Sequence, residues 1–202
     1  MRAYLQSTDI IDWHHPQVKA RAKNLAEGHE LTIDIVRACY LWVRDKIRHT
    51  GDYGLSIVTC RASETILAKT GFSFSKSHLL AALLRANHIP AGLCYQRVRD
   101  PDSASGFFLH SFNAAFLPKF GWYRIDARGN NDFIEARFNP PKEYLAYTTR
   151  EEGEADLPKI WTDPLSTVIE VLQKRENAEE VIRHPPDIQI ISIPKKPNDP
   201  SP

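Results

Sequence analysis

Gly71-Phe72-Ser73-Phe74-Ser75-Lys76-Ser77-His78-Leu79-Leu80-Ala81-Ala82-Leu83-Leu84-Arg85-Ala86-Asn87-His88-Ile89-Pro90-Ala91-Gly92 reads as a glycine turn that opens an apolar helix. The helix is expected from about Phe74 to Asn87, with Leu79, Leu80, Leu83 and Leu84 as its buried face. His88-Ile89-Pro90 closes it, because proline disfavours helix at the residue before it. Two later segments, Leu109-His110-Ser111-Phe112 and Gly121-Trp122-Tyr123-Arg124-Ile125-Asp126, read as neighbouring strands carrying one histidine and one aspartate. Phe108, His110, Phe112 and Ala114 alternate with Leu109, Ser111 and Asn113, which is the period of a strand.

Upstream, Pro16 to Glu27 has proline at its opening position and Gly28 past its end, a helix signature. Thr32 caps a second helix to about Arg48, with Val36, Tyr40, Val43 and Ile47 on one stripe that packs in the core. Residues 49–60 form a loop broken by Gly51 and Gly54, and Ser63-Glu64-Thr65 caps a short helix. Leu93 to Arg99 suits a strand, Asp100–Gly106 a loop, and Trp122 to Ala127 a further strand. Helices followed by a meander give an α+β fold, with N-terminal helices packed on an antiparallel sheet. Beyond Asn139-Pro140-Pro141 the pattern is less regular, and one more helix is expected from Asp163-Pro164 to about Arg175. A single domain over residues 1–183 is expected, with a core at about 32–130 and a C-terminal elaboration at 131–183. Residues 184–202 read as a proline-rich, largely disordered tail.

The 202 residues suffice for one domain with a sizeable core. Lys+Arg of 26 against Asp+Glu of 25 gives a formal net charge of +1, which provides no global field for nucleic acid or an anionic membrane. No apolar run approaches the roughly 20 residues needed to span a bilayer. Met1–Asp9 lacks the basic start and apolar stretch of a signal peptide, so a cytoplasmic location is expected. Cys39, Cys60 and Cys94 show neither metal-ligand pairing nor a disulfide framework and read as buried thiols. His14-His15 and His49 lack metal-ligand company, and His78 reads as a packing residue with a local hydrogen bond.

Across these blocks the chain resembles the transglutaminase-like superfamily of papain-like cysteine enzymes. The resemblance runs from the glycine turn and leucine-rich helix with its Arg-Ala-x-x-Ile-Pro-Ala ending, through His110, to Gly121–Asp126. It implies a papain-like transglutaminase core and a catalytic triad in the order nucleophile, histidine, aspartate. His110 would be the general base and Asp126 the group that fixes its tautomer, while Ser73 stands where the family has its cysteine. The resemblance implies no metal and no organic cofactor.

The nucleophile's place at a helix mouth has a physical reason. Unpaired N–H groups and the helix dipole stabilise negative charge there, and a thiol's pKa can fall to roughly 3.5–7.5. A serine hydroxyl is not ionised by that field and must lose its proton during attack. Three explanations of Ser73 stand in order: a Cys→Ser substitution trapping an inactive form, an inactive relative acting as a binding module, and a working serine hydrolase. Taken singly, Ser73 could cap its helix, His110 could be a satisfied core histidine and Asp126 a strand-end residue. Their order and contexts together favour the triad. Trp122 and Tyr123 could shield it from water or simply fill the core.

The expected activity is acyl transfer: attack on an amide carbonyl of a glutamine side chain or peptide bond, then release by water or an amine. Hydrolysis of a peptide or amide substrate is favoured over protein cross-linking. The rival is a non-catalytic peptide-binding module that retains the cleft. A nucleic-acid binder is disfavoured by the balanced charge.

Overall fold

Proline and glycine punctuate the first helices where the sequence places them. The computed structural model describes residues 1–189. A 3-10 turn at Arg2–Leu5 precedes α1 (Pro16–Ala26) and α2 (Thr32–Lys46). Pro16 has no N–H to leave unpaired at the helix start, and Gly28, at φ +79°, carries the chain away from α1. Val36, Tyr40, Val43 and Ile47 are buried, as their spacing predicts. The helix ends at Lys46 rather than Arg48 because Arg48–His49 forms β1, a short strand parallel to β2 (Thr70–Gly71).

Between these strands lies α3 (Ala62–Ala68). Its cap differs from the expected Ser63: the Glu64 carboxylate accepts from the Cys60 and Arg61 N–H groups at 2.9 and 3.0 Å. The next helix, α4 (Ser73–Ala86), begins one residue earlier than the pattern suggests, and only its last residue escapes full burial. A helix enclosed on all sides would normally be apolar throughout. Its leucines are, but Ser73, Ser75, Lys76, Ser77, His78 and Arg85 are buried with them.

The sheet is an antiparallel meander, in agreement with the α+β expectation. β3 (Ala91–Arg99), β4 (Phe107–Leu117) and β5 (Gly121–Ile125) follow in sequence, then a hairpin of β6 (Arg137–Asn139) and β7 (Lys142–Tyr144). A last strand, β8 (Ala155–Asp156), completes the order β5-β4-β3-β8. β5 stops at Ile125 instead of Ala127, which leaves Asp126 as the first residue past the strand. Two helices end the described fold: α5 (Ser166–Lys174), shorter than expected at both ends, and α6 (Ala178–Arg183). Part of the segment expected as tail is tied down. The Pro186 carbonyl accepts from the Leu109 N–H at 2.8 Å, and Asp187 takes both arms of Arg97 at 2.8 Å. Residues 190–202, the rest of that expectation, lie outside the described residues.

Arg85 explains why an arginine ends the leucine-rich helix. Its guanidinium, 1% exposed, donates to the carbonyls of Ala91 (3.0 Å), Gln6 (2.8 Å) and Thr162 (2.5 Å). One side chain thus joins α4 to the start of β3, the N-terminal segment and the chain that leads to α5. Replacing it by an apolar residue strands three carbonyls in the interior. Arg85→Met is expected to lower the unfolding free energy by about 3 kcal/mol, read from the urea midpoint, since bonds to a charged donor are worth roughly 1.5–3 kcal/mol each. Lys174→Met, on the exposed face of α5, is the control and leaves the midpoint in place.

Candidate active site

Ser73 opens α4 because Gly71 lets the entering chain pass close to it. A Cβ at Gly71 would collide with Ser75 Oγ. The N–H of Lys76 bonds back to the Phe72 carbonyl at 3.0 Å, which leaves the earlier N–H groups of the turn without helical partners. Ser73 makes no capping bond; its Oγ lies 3.5 Å from the Ser111 N–H, a long contact. The rest of the first turn is fastened to β4. Ser77 Oγ and Ser111 Oγ are 2.7 Å apart, and Asn113 Nδ2 donates to the Ser77 carbonyl at 2.9 Å.

His110 follows from β4 and is fully buried. Its Nε2 lies 2.7 Å from Asp126 Oδ2. That same oxygen accepts from the Ala146 N–H at 2.9 Å, and Oδ1 accepts from the Arg128 N–H at 3.0 Å. Burial pushes the Asp126 carboxyl up, but the His110 ring and the two backbone donors outweigh it and hold the carboxyl below its usual range. The other imidazole nitrogen, Nδ1, is buried with no hydrogen-bond partner among the described residues. Phe112 stacks on the ring at 5.9 Å, and Tyr147 meets it edge-on at 4.8 Å.

Ser73 and His110 line one cleft of about 350 Å³. Phe72, Phe74, Phe108 and Tyr147 supply apolar walls, and Arg99, Asp100 and Pro101 lie at the end of β3. Val181, Ile182 and Pro185 close the far side from the C-terminal part of the chain. The structure thus brings Ser73 and His110 to one cleft, with Asp126 behind the imidazole. Trp122 and Tyr123 do not shield it. Trp122 packs on Tyr4 and Phe116, while the Tyr123 hydroxyl donates to the Lys142 carbonyl. Tyr147 covers the histidine instead.

Sequence reasoning passed over His49, Asp52, Arg128 and Tyr147. Arg128 also lines the cleft and grips Asp52 with both arms at 2.8 Å. No sequence pattern announces a pair 76 residues apart. His78 behaves as expected: its Nδ1 meets the Cys60 carbonyl at 2.8 Å, and burial lowers it to about 4. The three cysteines are buried and unpaired, and burial pushes each up to about 12. Among the described residues no cluster of His, Cys, Asp or Glu could hold a metal ion, and no helix is long and apolar enough to cross a membrane.

The described fold is α+β, with helices on one antiparallel sheet in the papain-like manner. The family model of the transglutaminase-like superfamily matches residues 19–127, more than half of the chain. The chain belongs to the transglutaminase-like superfamily. No curated protein matches it. Among solved structures it is similar to a "Putative Cysteine Protease" from Cytophaga hutchinsonii, at 20% identity over 62% of this chain and 40% of that one, with a TM-score of 0.49. The periplasmic domain of TgpA from Pseudomonas aeruginosa is similar at 22% identity, over 61% of this chain and 45% of that one, with a TM-score of 0.45. The chain spans less than half the length of either.

Lys76, one turn into α4, is fully buried beneath the loop after Asp126. Its ammonium donates to the Arg44 and Ile47 carbonyls at the end of α2. Burial lowers it to about 7, helped by Arg128 and opposed by Asp126, Asp52 and Asp45. A base depressed in the folded state leaves the unfolded chain holding more protons, so stability rises with pH above 7. Between pH 7 and about 8 Lys76 should add a slope of up to about 1.4 kcal/mol per pH unit, a gain the three buried thiols offset as their unfolded forms ionise toward about 8.5. Lys76→Met is expected to flatten that slope in urea unfolding at several pH values.

Proposed function

We propose that this chain carries the scaffold of an acyl-transfer enzyme, acting as a hydrolase on a peptide or amide substrate, and that Ser73 halts its chemistry. One observation carries the reading. His110, which lines a cleft together with Ser73, commits one nitrogen to a buried aspartate and keeps the other buried with no partner among the described residues. The His78 ring also has an unbonded nitrogen, but it sits inside the helical core, away from the cleft.

With cysteine at position 73, the α4 N-terminus favours the thiolate and His110 Nδ1 receives the thiol proton. The thiolate adds to the amide carbonyl, and the imidazolium returns the proton to the leaving amine. Water, deprotonated by the same nitrogen, then releases the acyl group. Asp126 holds the ring and stabilises the imidazolium through Nε2. With serine at position 73 the hydroxyl stays protonated, so the cleft binds substrate and turns it over slowly or not at all.

Ser73 itself favours a second reading, a module that binds a peptide in this cleft without cleaving it. The two part on one experiment. Ser73→Cys is expected to gain iodoacetamide labelling at position 73, read by mass spectrometry of the tryptic peptide. The double change with His110→Ala should slow that labelling about tenfold or more at pH 7, because the thiolate loses its imidazolium partner and the thiol moves back toward its ordinary range. Labelling that ignores His110 favours the module.

A further inference from the structure

His49 lines the same cleft and has no part in the chemistry above. It ends β1, whose parallel pairing sets it opposite Gly71, so a two-residue ladder fixes the imidazole beside the chain that enters α4. The ring meets Phe72, the residue before Ser73, edge-on at 5.8 Å. The Asp52 N–H donates to His49 Nδ1 at 3.3 Å, which leaves the ring proton on Nε2. The Asp52 carboxylate is also 3.1 Å from Nδ1, but Arg128 holds both its oxygens at 2.8 Å. Burial lowers His49 to about 4 against the pull of Asp52, with Arg128 and Lys76 pushing the same way as burial, so the ring is neutral at pH 7. The Arg128 N–H in turn donates to Asp126 Oδ1. One arginine therefore links the supports of the two cleft histidines. They face the cleft with opposite capacities: Nε2–H can only donate, and His110 Nδ1 is free to accept.

We propose that His49 is a catalytic residue of this site, its Nε2–H donating a hydrogen bond to the oxyanion formed when the residue-73 nucleophile adds to a carbonyl. The inference rests on the acyl-transfer reading. On addition the sulfur–carbon bond forms and the carbonyl π pair moves to oxygen. The unpaired N–H groups at the mouth of α4 supply the other donors. On collapse that pair re-forms the carbonyl, the carbon–nitrogen bond breaks, and His110 gives its proton to the departing amine. His49 keeps its own proton throughout. Asp52 and Arg128 are positioning residues that hold the ring.

Two reagents separate this inference from the reading beneath it. Iodoacetamide alkylates a thiolate by displacing iodide and forms no oxyanion; p-nitrophenyl acetate acylates it through one and releases p-nitrophenolate. In a Ser73→Cys background, His49→Phe is expected to slow acylation about 10²-fold or more, the loss typical of one oxyanion donor, and to leave alkylation within about twofold. His49→Gln, which keeps an N–H donor, should recover about tenfold of the lost acylation rate. Should His49→Phe fail to fold, Asp52→Asn in the same background gives the same split with a smaller loss. Equal acylation rates with and without these changes, or equal losses in both reactions, overturn the proposal while His110-dependent alkylation stands. Alkylation that ignores His110 overturns the acyl-transfer reading itself.

Discussion

A helix buried on every side with five polar residues in its first turn and a half needs partners for four of them, Ser73 being left with one long contact, and that requirement organises the molecule. An unpaired buried polar group costs roughly 1–3 kcal/mol, so the partners cannot be left to chance. Ser75 is met by Thr59, Lys76 by the end of α2, Ser77 by Ser111, and His78 by the chain before α3. At the other end Arg85 collects three carbonyls from three segments. The partners lie on several elements, with Thr59 and Cys60 both on the chain before α3, so satisfying α4 fixes where α2, that chain, β3 and β4 stand. The cleft is a by-product of this arrangement. It opens where the mouth of α4 meets the middle of β4, the one place along the helix where N–H groups remain unspent.

Much of this was legible in the sequence because it depends on local rules. The 3.6-residue leucine spacing, the alternation around His110 and the proline and glycine stops are properties of a few consecutive residues; they locate α4 and β5 within a residue or two, while β4 runs three residues past the alternation. The resemblance to the transglutaminase-like superfamily nominates His110 and Asp126 together, and the meander sets their strands side by side. The remainder depends on distant pairings. His49 was set aside as a lone histidine because its roles arise from a parallel contact 22 residues away and from Arg128, beyond β5. Tyr147 lies in irregular chain with no periodicity to read. Trp122 neighbours Asp126 in sequence, but the register of β5 sets it opposite Phe116, six residues along β4 from His110, where it packs on Tyr4.

The wall supplied by the C-terminal part of the chain raises a different point. Val181, Ile182 and Pro185 come from beyond residue 127, where the family match ends. This strap is held from outside the cleft: the Ala178 N–H donates to the Ser56 carbonyl, the Ala104 N–H to the Arg183 carbonyl, and Asp187 clasps Arg97. Ile182 remains half exposed at the mouth. Ser73, His110 and Asp126 lie within the matched stretch, whereas this part of the wall, like Arg128 and Tyr147, lies beyond it. The contacts of the first turn of α4 sit in the matched core, whereas this wall sits on later chain that lines the cleft.

The same geometry sets how much one atom at position 73 can matter. A helix terminus offers an anion about 2 kcal/mol at best, or about 1.5 units of pKa. Starting from a thiol near 8.5, that brings the thiolate to neutral pH; an aliphatic hydroxyl begins far above any shift of this size. The chain nevertheless carries the unpaired Nδ1 of His110 and an aspartate that holds the ring through one hydrogen bond and is itself held by two backbone N–H groups. A histidine kept only for packing would be replaced without loss by an aromatic ring of the same shape, as its neighbours Phe108 and Phe112 illustrate on the same face of β4. Retaining the imidazole, its support and its idle nitrogen makes physical sense for a site shaped around a proton exchanged with residue 73.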